Sequence, residues 1–325
     1  MSIIAGLVFG QEPVPLSDVA GVISSKLFGA TSNVSSISEQ IVWNLRVPRI
    51  VLACIVGGGL SIVGVAMQAL IRNPLAEPYI LGISGGASAG ASLFYLGFLP
   101  PIISSVLSLS VAAFAGGLLA ILLVFFVARV DRQISVARLL LAGVAVSALM
   151  GAVTTFVTMM SPDPNKLRAM LFWLLGSLNG ASWSTVVVPT IVVGLGTAIL
   201  WILSRYLDAI LLGEEPAFNL GVPVEEIKKL LIVLSALITG ILVSAAGSIG
   251  FVGLVVPHIV RSFFGITHRV LIPLCFLVGA VFIVLADLAS RSLLEASTFP
   301  IGVVTAICGV PFFLYLLRRK EYRFG

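Results

Sequence analysis

The sequence predicts an all-α, polytopic membrane protein of about ten transmembrane helices, and three observations carry that expectation. Apolar residues make up 59% of the chain and charged residues only 10%, against about 25% charged in a soluble domain. A chain so poor in charge cannot cover a water-facing surface, and its mean hydropathy is +1.16. The apolar residues gather into nine runs, at 47–70, 79–98, 105–128, 137–160, 185–204, 229–246, 249–264, 270–290 and 300–317. The thirty-two glycines and sixteen prolines mostly interrupt these runs, which transmembrane helices tolerate.

Taken in order, the chain starts with an apolar fragment at Met1–Gly10. At about 1.5 Å per residue it spans roughly half of a ~30 Å hydrocarbon core, so it reads as a truncated or short first span, or as an interfacial segment. Residues 11–40 lack a membrane-length apolar run and read as an extramembrane loop with a short helix, capped by Ser17 ahead of Asp18. The stretch from Trp43 to Gly90 reads as the central span and the turn after it. Gly57, Gly58, Gly59, Ser61 and Gly64 leave its surface almost bare, so several helices can approach it closely. Asn73-Pro74 and Glu77-Pro78 form its closing turn. Gly82 to Gly90 lies inside an apolar run with no strand before it, so close helix packing explains it better than a phosphate cradle. Ser161-Pro162-Asp163-Pro164 is a surface turn, followed over 166–178 by a helix at the bilayer interface, with Trp173 and Trp183 at headgroup level.

The basic residues set the orientation. If the segment before residue 47 faces outside, thirteen of the nineteen Lys and Arg fall inside and six outside, as the positive-inside rule requires. The C-terminus is then cytoplasmic. The net charge of +5 therefore marks cytoplasmic loops and does not point to nucleic acid. Cys54, Cys275 and Cys308 lie in apolar runs and read as small buried side chains.

Two clusters stand out as functional candidates. The polar island over 208–226 holds Gly213, Glu214, Glu215, Pro216, Ala217, Phe218, Asn219, Leu220 and Gly221. Its two glycines bracket a short helix with an acidic first turn, which suits the positive end of the helix dipole. It reads either as a loop helix packed on its own protein or as a docking helix for a soluble cytoplasmic subunit, since Phe218 and Leu220 need a cover. Arg46, Arg49 and Arg291 lie at the outer ends of spans, with Asp287 one turn before Arg291. They read either as headgroup anchors or as sockets for the carboxylates of an external partner. His258 reads as a structural hydrogen bonder, and no metal-ligand set surrounds it. No nucleophile, base or Walker-type constellation is visible, so the chain itself reads as non-catalytic. Few ionisable residues fall within the spans, which disfavours a proton-driven secondary transporter. That class, and a membrane scaffold without transport, are the rival readings.

Several segments together carry a resemblance: Arg46-Val47-Pro48-Arg49, Met67-Gln68-Ala69-Leu70 with Asn73-Pro74-Leu75-Ala76-Glu77-Pro78, Arg138-Leu139-Leu140-Leu141-Ala142-Gly143, Leu212-Gly213-Glu214 with Leu220-Gly221, the run from Gly250 to Arg261, and Pro300 to Thr305. In this order, over about 41–317, they resemble the FecCD family of permease subunits of ABC importers for ferric siderophores, haem and vitamin B12. The resemblance implies a single transmembrane domain over 1–325 in the cytoplasmic membrane, paired with a second permease copy. It also implies two cytoplasmic ATP-binding cassette subunits, which would hold the ATP and Mg, and an external substrate-binding protein. It implies that Arg46, Arg49 and Arg291 meet acidic residues of the binding protein, and that residues 213–221 form the coupling helix seated in the ATPase. The cytoplasmic gate would fall at Ser135, Val136 and Ala137, where the vitamin B12 permease has small hydroxyl residues and this chain has two apolar ones. Iron chelates lead as the expected cargo, with cobalamin second.

Overall fold

The computed structural model describes residues 2–8, 14–29, 34–130, 133–292 and 299–318. Seven residues of the first apolar fragment form α1 (Ser2–Val8), which packs near Val284 of the helix His268–Ser292 and near Ile50 at the start of the central helix. α2 (Leu16–Phe28) follows. Its N-cap is Pro15, whose fixed φ of −56° turns the chain into the helix, so Ser17 lies in the first turn and does not cap it. α3 (Ser36–Glu39) is capped by Ser35 and continues through a π-helical stretch, Gln40–Arg46, into α4 (Val47–Ile71). Together they run unbroken for 36 residues, about 54 Å at 1.5 Å per residue. That exceeds the ~30 Å hydrocarbon core, so α3 projects beyond it.

α4 is the axis of the molecule, and its bare glycines are the reason. A Cβ on Gly57 would overlap the Gly279 carbonyl, one on Gly64 the Gly253 carbonyl, and one on Gly59 a methyl of Leu242. Three other helices therefore touch α4 backbone to backbone or nearly so. These are α13 (Val224–Ala246), α14 (Val252–Phe264) and α15 (His268–Ser292). α10 (Trp183–Ile202) packs on it as well.

A second group forms beside this axis. A 3₁₀ turn, Pro78–Leu81, leads into α5 (Ile83–Tyr95), and a short α6 (Pro101–Ser104) precedes α7 (Leu109–Ala128). Arg129–Val130 (β1) pairs antiparallel with Gln133–Ile134 (β2) before α8 (Val136–Met159). The Gly82–Gly90 stretch serves close packing, as its sequence suggested. Gly86 faces the Gly116 carbonyl of α7, Gly90 faces that of Ala112, and neither site has room for a Cβ. α9 (Pro164–Leu174) starts at Asp163, whose carboxylate accepts from the amides of Asn165 and Lys166. Two short helices, α11 (Ser204–Leu211) and α12 (Glu214–Asn219), join α10 to α13, and α16 (Ile301–Arg318) closes the bundle. Among the described residues, six helices are long and apolar enough to cross a membrane. α1, α5, α14 and α16 are shorter members of the same bundle.

The short α14 follows from a break at residues 247–251, where Gly247 has φ +70° and Phe251 φ +69°. A phenylalanine there is strained, and the turn after α4 holds it. Tyr79 donates its hydroxyl to the Ile249 carbonyl (2.8 Å) and accepts from the Ile249 amide (3.0 Å), while the Phe251 amide donates to the Glu77 carboxylate (3.1 Å). The Gln68 amide then donates to the Gly253 carbonyl (3.1 Å) and accepts from Arg261 (2.5 Å). α14 thus begins against Gly64 of α4 and, with 13 residues, covers about two-thirds of the ~30 Å hydrocarbon depth. His258 on this helix meets the edge of Phe312 at 5.8 Å.

Candidate functional site

One end of the bundle carries Arg72, Lys228 and the α11–α12 elbow. α11 buries Leu207 and Ile210. Its Asp208 accepts from the His268 amide (3.0 Å) and pairs with His268 Nδ1 (2.5 Å) at the start of α15. Burial raises the Asp208 carboxyl, but the hydrogen bonds from His268 outweigh this and hold it below its usual value. Gly213, at φ +125°, then turns the chain sharply beside Arg72, a backbone conformation that suits glycine. α12 follows with Glu214 and Glu215 in its first turn. Ala217 is its buried anchor, and Gly221 (φ +81°) ends it, with the Val222 amide donating back to the Ala217 carbonyl.

Lys228 fastens this elbow to α13. Its ammonium is 3.0 Å from Glu214 of α12 and 2.6 Å from Glu225 of its own helix, and its side chain is 3% exposed. α12 is therefore tied through side chains to α13, and α11 to α15. On its outer side, α12 and the turn after it expose Phe218 at 71% and Leu220 at 66%, beside Leu212 at 67%. A rigid elbow showing large apolar side chains is what a docking helix for a soluble partner requires. Ser135, Val136 and Ala137 sit at the start of α8, with Ser135 and Ala137 exposed and Val136 half-buried.

The opposite end holds the three arginines, two of them on one carboxylate. Arg49 grips Asp287 with Nε at 2.9 Å from Oδ1 and Nη2 at 2.8 Å from the same oxygen. Its Nη1 donates to Asn179 at 2.8 Å. Arg291 approaches the other Asp287 oxygen at 3.1 Å. Arg46 is turned inward and donates to the carbonyls of Leu7 and Val8 at the end of α1. Asp287 is 1% exposed, so it is a buried counter-charge for two cations on α4 and α15. Sequence spacing shows the Asp287–Arg291 pair but not the Arg49–Asp287 pair, whose members lie 238 positions apart. Removing one partner of such a buried cluster costs about 3–5 kcal/mol. Asp287→Asn is therefore expected to lower the detergent-solubilised protein's thermal midpoint clearly, and an unchanged midpoint would contradict the clamp. The Trp43 and Trp183 rings lie 5.1 Å apart at this end, with Trp183 Nε1 donating to the Trp43 carbonyl. Trp173 is half-buried against a small apolar cluster that includes Met170 and Val243.

The FecCD transport family matches residues 1–319. The chain belongs to that family. A cobalamin import system permease protein, BtuC of Halobacterium salinarum, is 43% identical over 286 residues, covering 88% of this chain and 75% of that one. A hemin transport system permease protein, HmuU of Yersinia pestis, is 42% identical over 289 residues, covering 87% and 85%. A solved structure of a metal-chelate type ABC transporter in an inward-facing conformation superposes with a TM-score of 0.82 at 30% identity, covering 97% of this chain and 94% of that one. This FecCD member is thus a multi-pass permease subunit of an ABC importer, a transport component whose ATPase is a separate subunit. Sequence reasoning missed Lys228 as the fastening of the elbow; its i,i+3 spacing from Glu225 was the available signal.

Proposed function

We propose that the chain and a second copy of itself form the membrane path of an ATP-driven importer for a metal chelate delivered by an external binding protein. The observation that carries this reading is the elbow. Residues 213–221 present Phe218 and Leu220 outward while Lys228, Asp208 and His268 fix their base to two helices of the bundle, α13 and α15. In this reading two ATP-binding cassette subunits, holding ATP and Mg, seat α12 in their clefts. Their closure moves α12, and the side-chain ties transmit the movement to α13 and α15. The α12 end is cytoplasmic, with the C-terminus on the same side, and the Arg49 end faces the binding protein. Among the three arginines, Arg49 keeps the most side-chain surface beyond its pairing with Asp287. The apolar start of α8, at Val136 and Ala137, closes the path by excluding water. Exposed faces of α8 (Leu141, Val144, Phe156) and α16 (Ile307, Leu314) supply the surface that the second copy covers.

For cargo, the hemin permease supports haem, an iron chelate, and the cobalamin permease supports cobalamin as the second reading. Both are broad metal macrocycles, which suits a path between two subunits better than one within a single bundle. The test is uptake into proteoliposomes holding the permease with its ATPase and binding protein, offered haem, ferric siderophores and cobalamin. Saturable uptake of one chelate names the cargo. Binding-protein stimulation with none of them transported would overturn the metal-chelate reading.

A further inference from the structure

α10 and α15 part toward the α12 end of the bundle and leave a groove of about 360 Å³. On one side it is lined by Gly194, Thr197 and Ala198, and on the other by Ile272, Pro273 and Phe276, with Trp201 at its mouth. The Thr197 hydroxyl is spent on the Val193 carbonyl (2.6 Å), so the groove offers apolar surface only. A Cβ built on Gly194 would meet nothing within 4 Å, so tight helix packing does not explain this glycine. At the mouth, Trp201 Nε1 donates to the Arg269 carbonyl (3.0 Å), and the Arg269 guanidinium lies 5.6 Å over the Trp201 ring. Among the described residues no ion pair involves Arg269. The nearby Asp208 carboxylate is engaged by His268.

We propose that this groove binds an anionic phospholipid, with one acyl chain against Gly194, Ala198 and Phe276 and the phosphate at Arg269. The dimensions fit. From Gly194 to Trp201 the groove runs about 10 Å along α10, within the ~15 Å of hydrocarbon in one leaflet. The polarity fits as well, because the apolar trough ends at a cation held at headgroup level by a tryptophan. A second copy of the chain seated here would bury Arg269 at a membrane interface with no counter-charge, which is costly. A soluble partner cannot reach between two spans.

The test is native mass spectrometry of the detergent-purified permease offered phosphatidylglycerol and phosphatidylcholine of identical acyl chains in equal amounts. Preferential retention of phosphatidylglycerol is expected. Arg269→Gln should cut that preference about fivefold, Arg269→Lys should restore most of it, and Gly194→Leu, which fills the trough, should reduce retention of both lipids. Ala198→Leu provides the same test should Gly194→Leu fold poorly. Equal retention of the two lipids, an Arg269→Gln variant that keeps the preference, or trough-filling variants that alter oligomeric state and not lipid retention would each overturn the proposal.

Discussion

Replacing Phe218 by Asp should abolish ATP-driven uptake while leaving the permease folded in the membrane. Phe218 is 71% exposed, whereas Ala217 beside it anchors α12, so the substitution changes what the elbow presents and not how it is built. A buried aromatic anchor at an interface contributes about 2 kcal/mol or more, and a carboxylate forced into that contact adds a desolvation cost. Affinity for the ATPase should fall by about thirtyfold or more. The measurement is co-purification with the ATPase, alongside the thermal midpoint of the isolated permease. Normal association with Phe218→Asp would show that α12 packs only on its own protein. Lys228→Met should act differently. It leaves the apolar face intact but unties Glu214, so the ATPase should still bind and uptake per ATP hydrolysed should fall.

The second large effect is expected at Gly64. A Cβ there would overlap the Gly253 backbone, and backbone cannot yield as the end of a flexible side chain can. Overpacking of this kind costs about 1–3 kcal/mol for each poorly placed group, and occasionally more. Gly64→Val should push α14 off α4 and lengthen the hydrogen bond from Gln68 to the Gly253 carbonyl. Poor membrane assembly and a lost or strongly lowered thermal midpoint are the expected readouts. Gly151→Val is the control, because a Cβ at Gly151 meets nothing. Equal behaviour of the two variants would contradict the close α4–α14 contact.

The contrast between these glycines shows what the sequence could and could not convey. The clustered Gly57, Gly58, Gly59 and Gly64 marked α4 as a helix approached from several sides, and α13, α14 and α15 do approach it there. The apolar runs likewise placed the helices, because lipid forces backbone hydrogen bonds to close within each segment. The sequence did not convey which distant polar groups meet. Glu77-Pro78 read as a turn, yet Glu77 and Tyr79 hold the strained break before α14, 170 or more positions away. Gln68 read only as one residue of a motif in an apolar run, but it joins α4 to both ends of α14. Such pairings depend on how helices assemble, and helical periodicity carries no record of that. The polar island over 208–226 was legible as a short helix with exposed apolar residues, because its glycines, acidic turn and apolar residues are contiguous. The Arg49–Asp287 grip was not, because its members come from two different spans.

The decisive measurement is chelate uptake into proteoliposomes containing the permease, its ATPase and its binding protein, energised either by ATP or by an imposed ion gradient. ATP alone should drive uptake, lost in Phe218→Asp and indifferent to the gradient. Gradient-driven uptake that persists without the ATPase would contradict this and place the chain among secondary transporters.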